Sequence, residues 1–153
     1  KKETDINELL TNIITDLKRS HAKLEQKITT EFSKIQTLSL DSFKIMRAFT
    51  NILNNAIQAT NRTNGYITVK TKQNDQAIVI TISNTESYIP EDKISKLFDS
   101  FFTDGKMGGS GLGLAIAKKM LVAHGGYILC RSFKNENFPK GFVEFEMSLM
   151  LEN

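Results

Sequence analysis

The chain is 153 residues long, 40% hydrophobic and 24% charged, with a formal net charge of +3. This balance suits one globular domain spanning residues 1–153, with enough apolar residues for a real core. The small charge excess, its Lys and Arg scattered among acids, argues against nucleic acid as a partner. The single cysteine, Cys130, excludes a disulfide framework and favours a cytoplasmic setting, and no apolar run reaches the roughly 18 residues of a membrane span.

The chain opens on the charged stretch KKETD, without Met and without the character of a signal peptide, and reads as a fragment of something longer. Between residues 4 and 24, Ile6, Leu9, Leu10, Ile13, Leu17 and Leu24 fall at helical spacing. KITTEF (27–32) alternates like a strand. A long helix follows, with Asp41 as N-cap and Ile45, Phe49, Leu53, Ala56 and Ile57 on one stripe. NRTNG (61–65) is a turn, and YITVKTK and AIVITIS are two alternating strands joined by the polar QNDQ. A loop through Pro90 leads to a short helix, DKISKLFDSFF. The glycine-rich loop TDGKMGGSG opens into the helix LGLAIAKKMLVAHGG, closed by Gly125 and Gly126. The last strands are YILCRSF and FVEFEMSLM. Strands and helices come in blocks rather than in strict alternation, which predicts an α+β sandwich with a mixed sheet and helices on one face.

Two segments carry chemistry. In NILNNAIQAT (51–60), Asn51, Asn55 and Gln58 stand at i, i+4 and i+7, so they share one helix face, with Asn54 and Asn61 close to it. Amides on a helix are most often a solvated face. Asn, however, is a poor helix-interior residue, and this chain uses Lys and Glu on its other polar faces. An Asn carbonyl is a hard oxygen ligand of the kind Mg²⁺ accepts singly, the rest coming from water and nucleotide phosphates. The second segment is GGSGLGLAIA (108–117). Gly109, Gly111 and Gly113 permit close backbone approach, and the helix that follows directs free N–H groups and its positive dipole end at an anion. It is neither a Walker loop nor a dinucleotide fingerprint, and alone it would as readily be a flexible connector.

Together the two segments are far more specific. NILNNAIQAT resembles the N-box of sensor histidine kinases, which belong to the Bergerat-fold, GHKL-type ATPases. KLFDSFFT (96–103) resembles their F-box, and GGSGLGLAIAKKMLVAHGGYI (108–128) their G2 box with the following helix and strand. GFVEFEMSL (141–149) resembles the closing strand, without the usual Thr beside the Gly. The likeness runs from TDINELL to the end of the chain. It implies a two-layer α/β sandwich that holds Mg-ATP between the N-box and G2 helices under a mobile lid. The γ-phosphate would pass to a histidine on a separate dimerisation domain of the same parent, with a response regulator downstream. The location it implies is the cytoplasm, including the cytoplasmic part of a membrane-bound sensor.

Carried over by position, Asn55 matches the Mg²⁺-coordinating asparagine and Asn51 the other N-box asparagine, where hydrolytic relatives place a glutamate base. Gln58 falls where many members have a basic residue, and Lys106 in the lid would supply the missing cation. Gly109, Gly111, Leu112, Gly113 and Leu114 match the G2 box. The G1 motif, D-x-G-x-G, departs: it reads NTESY here, with Asn84 for the Asp that receives the adenine amino group and Glu86 and Tyr88 for both glycines. Asn84 remains a neutral acceptor, and the two side chains stand to reshape the adenine pocket. The rival readings are a nucleotide-impaired interaction module and an anti-sigma-type serine kinase of the same fold. His21 lacks the sequence context of a phosphoacceptor, His124 reads as a cation at a helix C-terminus, Cys130 as a strand residue without a role, and Phe98, Phe101 and Phe102 as core or lid hinge. Glu144 and Glu146 lack the setting of a catalytic carboxylate pair.

Overall fold

The computed structural model describes residues 1–102 and 112–152. Five strands form one mixed sheet in the order β2 (Ile28–Phe32), β4 (Ile67–Gln73), β5 (Ala77–Thr85), β7 (Phe142–Met150), β6 (Tyr127–Phe133). β2 runs parallel to β4 and every other pairing is antiparallel. The register sets Ile67, Asn84 and Val143 in one row, Val69, Ile82 and Phe145 in the next, and Ile80, Met147 and Ile128 in a third. Because side chains alternate along a strand, all of these point to one face. Three helices cover it: α1 (Ile6–Ser20), α3 (Ser42–Thr60) and α5 (Gly113–Ala123), which share one buried apolar cluster with the strands. The predicted two-layer α+β sandwich is the observed one.

The opposite sheet face is mixed, with Val79, Phe133 and Phe142 beside charged residues. There Arg131 pairs with Glu144 at 3.1 Å and Glu146 at 3.3 Å, so these carboxylates are committed to a cross-strand ion pair rather than to acid–base chemistry.

α3 is built as its sequence predicts. The Asp41 carboxylate accepts the Lys44 N–H at 3.2 Å as N-cap, and Ile45, Ala48, Phe49, Ile52, Leu53, Ala56 and Ile57 are buried on one stripe. At its other end the Lys27 ammonium donates to the carbonyls of Thr60 at 2.5 Å and Thr63 at 3.0 Å, a cation where the helix dipole is negative. Three local features differ from expectation. The first helix starts only at Ile6, capped by Asp5, because Lys2–Thr4 pairs as β1 with Leu38–Leu40 as β3; it stops at Ser20, before the short α2 (Leu24–Lys27). The helix predicted over DKISKLFDSFF is a single turn, α4 (Glu91–Ile94). Turn-type bonds continue it to Phe102, where Phe101 takes φ +67 and cannot remain helical.

Candidate functional site

α3 and α5 pack side by side on the sheet. Their relation is fixed by the Asn51 amide, whose Nδ2 donates to the Gly113 carbonyl at 3.1 Å. The amide stripe of α3 is thereby brought against the first residue of α5, the end of the helix where backbone N–H groups lack intrahelical acceptors and the dipole is positive. Asn55, one turn beyond Asn51 on the same stripe, is half-buried, and among the described residues no hydrogen bond engages its side chain. Its carbonyl oxygen is available to a hard cation at that helix end. Gln58 is exposed. Leu112 is half-buried at the N-cap position of α5, where its carbonyl accepts from Ile116 N–H at 2.8 Å, and Leu114 packs against the core. Lys106, Gly109 and Gly111 lie outside the described residues. Among the described residues no group of three His, Cys, Asp or Glu could hold a metal, so a cation here would depend on amide oxygen, water and the ligand's own charge.

Asn84 is 2% exposed, on the helix-covered sheet face. Its Nδ2 donates to the Thr85 carbonyl at 3.2 Å and to Ser87 Oγ at 2.9 Å. With both donors held, Oδ1 is the atom left to accept from a ligand. The segment after it keeps a glycine-like course: Glu86 takes φ +64, and its N–H donates to Gly141 O at 3.0 Å. The Tyr88 ring lies under the Lys134 ammonium at 5.0 Å and is thus turned to the β6–β7 loop. No residue pattern announces Ser87 as the partner of Asn84, nor Gly141 closing over the loop.

Phe98 stands edge-on to Phe145 in the core, ring centroids 6.3 Å apart, with Lys118 of α5 above it. Phe101 is exposed. His124 does not act as a dipole-matched cation. Its Nε2 receives the Asp41 backbone N–H at 3.2 Å, which requires a lone pair there and hence a neutral ring. Among the described residues the His21 ring hydrogen-bonds only at its own helix end, to Leu17 O and Ser20 Oγ. Cys130 is half-buried in β6, and burial pushes its thiol up to about 12.

A helix N-terminus facing an amide stripe, over a mixed sheet bearing a buried amide acceptor, is a setting that could receive an anionic ligand. The sequence profile of the histidine kinase-, DNA gyrase B- and HSP90-like ATPases matches residues 40–153, and the chain belongs to that family. The sensor protein VanS of Enterococcus faecium is 39% identical over 113 residues, covering 71% of this chain and 28% of VanS. The histidine kinase BaeS of Escherichia coli is 32% identical over 117 residues, 73% of this chain and 24% of BaeS. The chain thus spans only about a quarter of these relatives. Among solved structures, the mycobacterial sensor histidine kinase MprB superposes with a TM-score of 0.83 at 25% identity, covering 97% of both chains. Histidine kinase ThkA, solved in complex with the response regulator TrrA, gives 0.75 at 27% identity over 97% of this chain and 41% of ThkA. No helix among the described residues is long and apolar enough to cross a membrane.

Proposed function

We propose that this chain is the catalytic domain of a two-component sensor histidine kinase, holding Mg-ATP between α3 and the start of α5 and presenting the γ-phosphate to a histidine on a separate dimerisation domain. The observation that carries this is the Asn51–Gly113 bond, which seats an amide stripe, with an Asn55 uncommitted among the described residues, beside a helix N-terminus. In this reading the α5 N–H groups receive phosphate oxygens, Asn55 Oδ1 is the protein's ligand to the cation, and Asn84 Oδ1 accepts from the adenine amino group. Bound Mg²⁺ would supply neutralisation of phosphate charge. Asn51 has no basic atom and is already donating to Gly113, so it positions and does not activate water. The domain would therefore conserve ATP for transfer rather than hydrolyse it. Lys106, Gly109 and Gly111 would complete the phosphate side and Gln58 its outer rim. The partners are the parent's dimerisation domain and then the receiver aspartate of a response regulator, a reading supported by the ThkA–TrrA complex. The domain would work in the cytoplasm without touching a membrane.

Calorimetric titration of ATP with and without Mg²⁺ tests this. Wild type is expected to bind tightly only with Mg²⁺, and Asn55→Ala to lose about tenfold or more of that affinity while keeping its fold, as expected for a lost ligand and its network. Unchanged affinity in Asn55→Ala refutes the cation assignment. Absence of binding in wild type refutes the kinase reading in favour of an interaction module.

A further inference from the structure

α5 is tied to α3 by a polar contact at each of its ends. At the start Gly113 O accepts from Asn51 at 3.1 Å, and at the end His124 Nε2 accepts from the backbone N–H of Asp41 at 3.2 Å. The helices therefore run antiparallel, with the ties ten positions apart along α3 and eleven along α5. At a rise of about 1.5 Å per residue the two spans match to within one residue, so both ties are made without bending either helix.

The rear tie is directional. A backbone N–H only donates, so Nε2 holds the lone pair and the proton sits on Nδ1, which donates to Met120 O at 2.8 Å. The ring is thus fixed to its own helix by one nitrogen and to the N-cap residue of α3 by the other. Directly beyond it the chain turns at Gly125, with φ +73, and at Gly126, where an added Cβ would lie 1.9 Å from Ser148 O of β7. His124 therefore stands between a backbone clamped to the sheet and the capped start of α3. A shift of α5 along its axis would break the Asp41–His124 bond and strand a half-buried donor.

We propose that His124 is a positioning residue for the phosphate site: by holding the rear of α5 against Asp41 it sets where the N–H groups at the front of α5 stand relative to Asn51 and Asn55. This rests on the reading of that front end as the phosphate site. The predicted defect in a His124 variant is therefore remote, at the opposite end of the helix, and concentrated on ligands that carry the outer phosphates.

The test uses the whole chain and compares wild type, His124→Ala and His124→Gln, the last able to accept from Asp41 with a side-chain oxygen at similar reach. One readout needs no ligand: hydrogen exchange of the Ile116 N–H, which closes the first turn of α5 on Leu112 O. The other is titration of ATP and AMP in Mg²⁺. His124→Ala is expected to speed Ile116 exchange and to weaken ATP, each about tenfold, the size of one stranded donor, with AMP changed much less. His124→Gln should recover most of both. Unchanged Ile116 exchange, equal loss for ATP and AMP, or a Gln variant no better than Ala each overturns the positioning role. Failure of wild type to bind either nucleotide overturns the phosphate role together with the reading beneath it, and is told apart by Ile116 exchange that still responds to His124.

Discussion

Gly113 begins α5, and nothing among the described residues asks for glycine there. Its φ is not left-handed, and among the described residues an added Cβ would have the Asn51 Cβ and Cγ, both at 3.9 Å, as its nearest neighbours, an ordinary van der Waals contact. Alanine is favoured over glycine inside a helix by about 0.5–1 kcal/mol and by less in the first turn, so Gly113→Ala should stabilise the free protein by about 0.5 kcal/mol, or about 1–2 °C in Tm at this chain length. The same methyl would stand on the side facing Asn51, where the α5 N–H groups would receive phosphate oxygens. Oxygens that need backbone at hydrogen-bond range cannot share that space with a methyl, and a loss of about tenfold in nucleotide affinity, or about 1.4 kcal/mol, is expected. The two effects have opposite signs, so general damage to the fold cannot imitate them. Thermal unfolding of the free variant and calorimetric titration of ADP in Mg²⁺ measure them separately. A Gly113→Ala variant that binds ADP as wild type does would remove the front of α5 from the site. A variant less stable than wild type would show that the contact with Asn51 is tighter than its geometry implies.

Asn84→Asp should tighten ADP about fivefold, since a charged acceptor forms the stronger bond, with Asn84→Ala weaker than wild type; the order Asp, Asn, Ala is the check. The same Asp should cost about 1 kcal/mol of stability in denaturant unfolding, because its carboxylate must face the Thr85 carbonyl to which Asn84 donates. Glu86→Gly should raise Tm by about 1–2 °C, relieving a left-handed residue at the expense of some unfolded-state entropy, without loss of ADP affinity. Cys130 gives a pH prediction: its folded thiol is raised from 9.0 to about 12, so the stability it contributes is full below pH 9 and is lost as pH rises from 9 towards about 12, where the unfolded chain ionises first. Unfolding in urea across that range should show a loss that Cys130→Ala removes, and the native thiol should resist alkylation at pH 8.

Much of this was legible because it is written in long periodic segments. α3 carries its stripe over nineteen residues with a capping Asp, and the amides that break the pattern mark the face turned to α5. β1 and β3 were not legible, since three residues such as LSL hold too little of a period to recognise. The helix after Pro90 is shorter than its pattern suggests: Phe98, Phe101 and Phe102 have helical spacing, yet the left-handed Phe101 closes the segment as turns. His124 looked like a dipole-matched cation because its partner, the Asp41 N–H, is a backbone group far away in sequence that no side-chain pattern can announce.

The loop after β5, where the resemblance places a D-x-G-x-G motif, makes a left-handed turn without the motif's glycines. A D-x-G-x-G segment needs glycine where the backbone turns left-handed and where another chain approaches closely. Here Glu86 occupies the left-handed position with φ +64, held there by its N–H to Gly141 O and by the Ser87–Asn84 bond ahead of it. The close approach is kept by glycines outside the motif. At Gly141, which itself takes φ +114, an added Cβ would lie 2.2 Å from Ser87 O. At Gly65 it would lie 2.6 Å from Thr85 O. Behind the loop, Ser132 Oγ accepts from Ile89 N–H and donates to Phe142 O, fastening its exit to the β6–β7 hairpin. The freedom that two glycines would have supplied locally is replaced by constraint from three neighbours, at the cost of strain in one residue. Asn84 is accordingly still aimed from a buried, fully donated position, and the bulk of Tyr88 is drawn off to Lys134. Substitution at the motif's own glycines is therefore a poor measure of whether such a site survives; Gly65 and Gly141, where side chains cannot be admitted, are the better one.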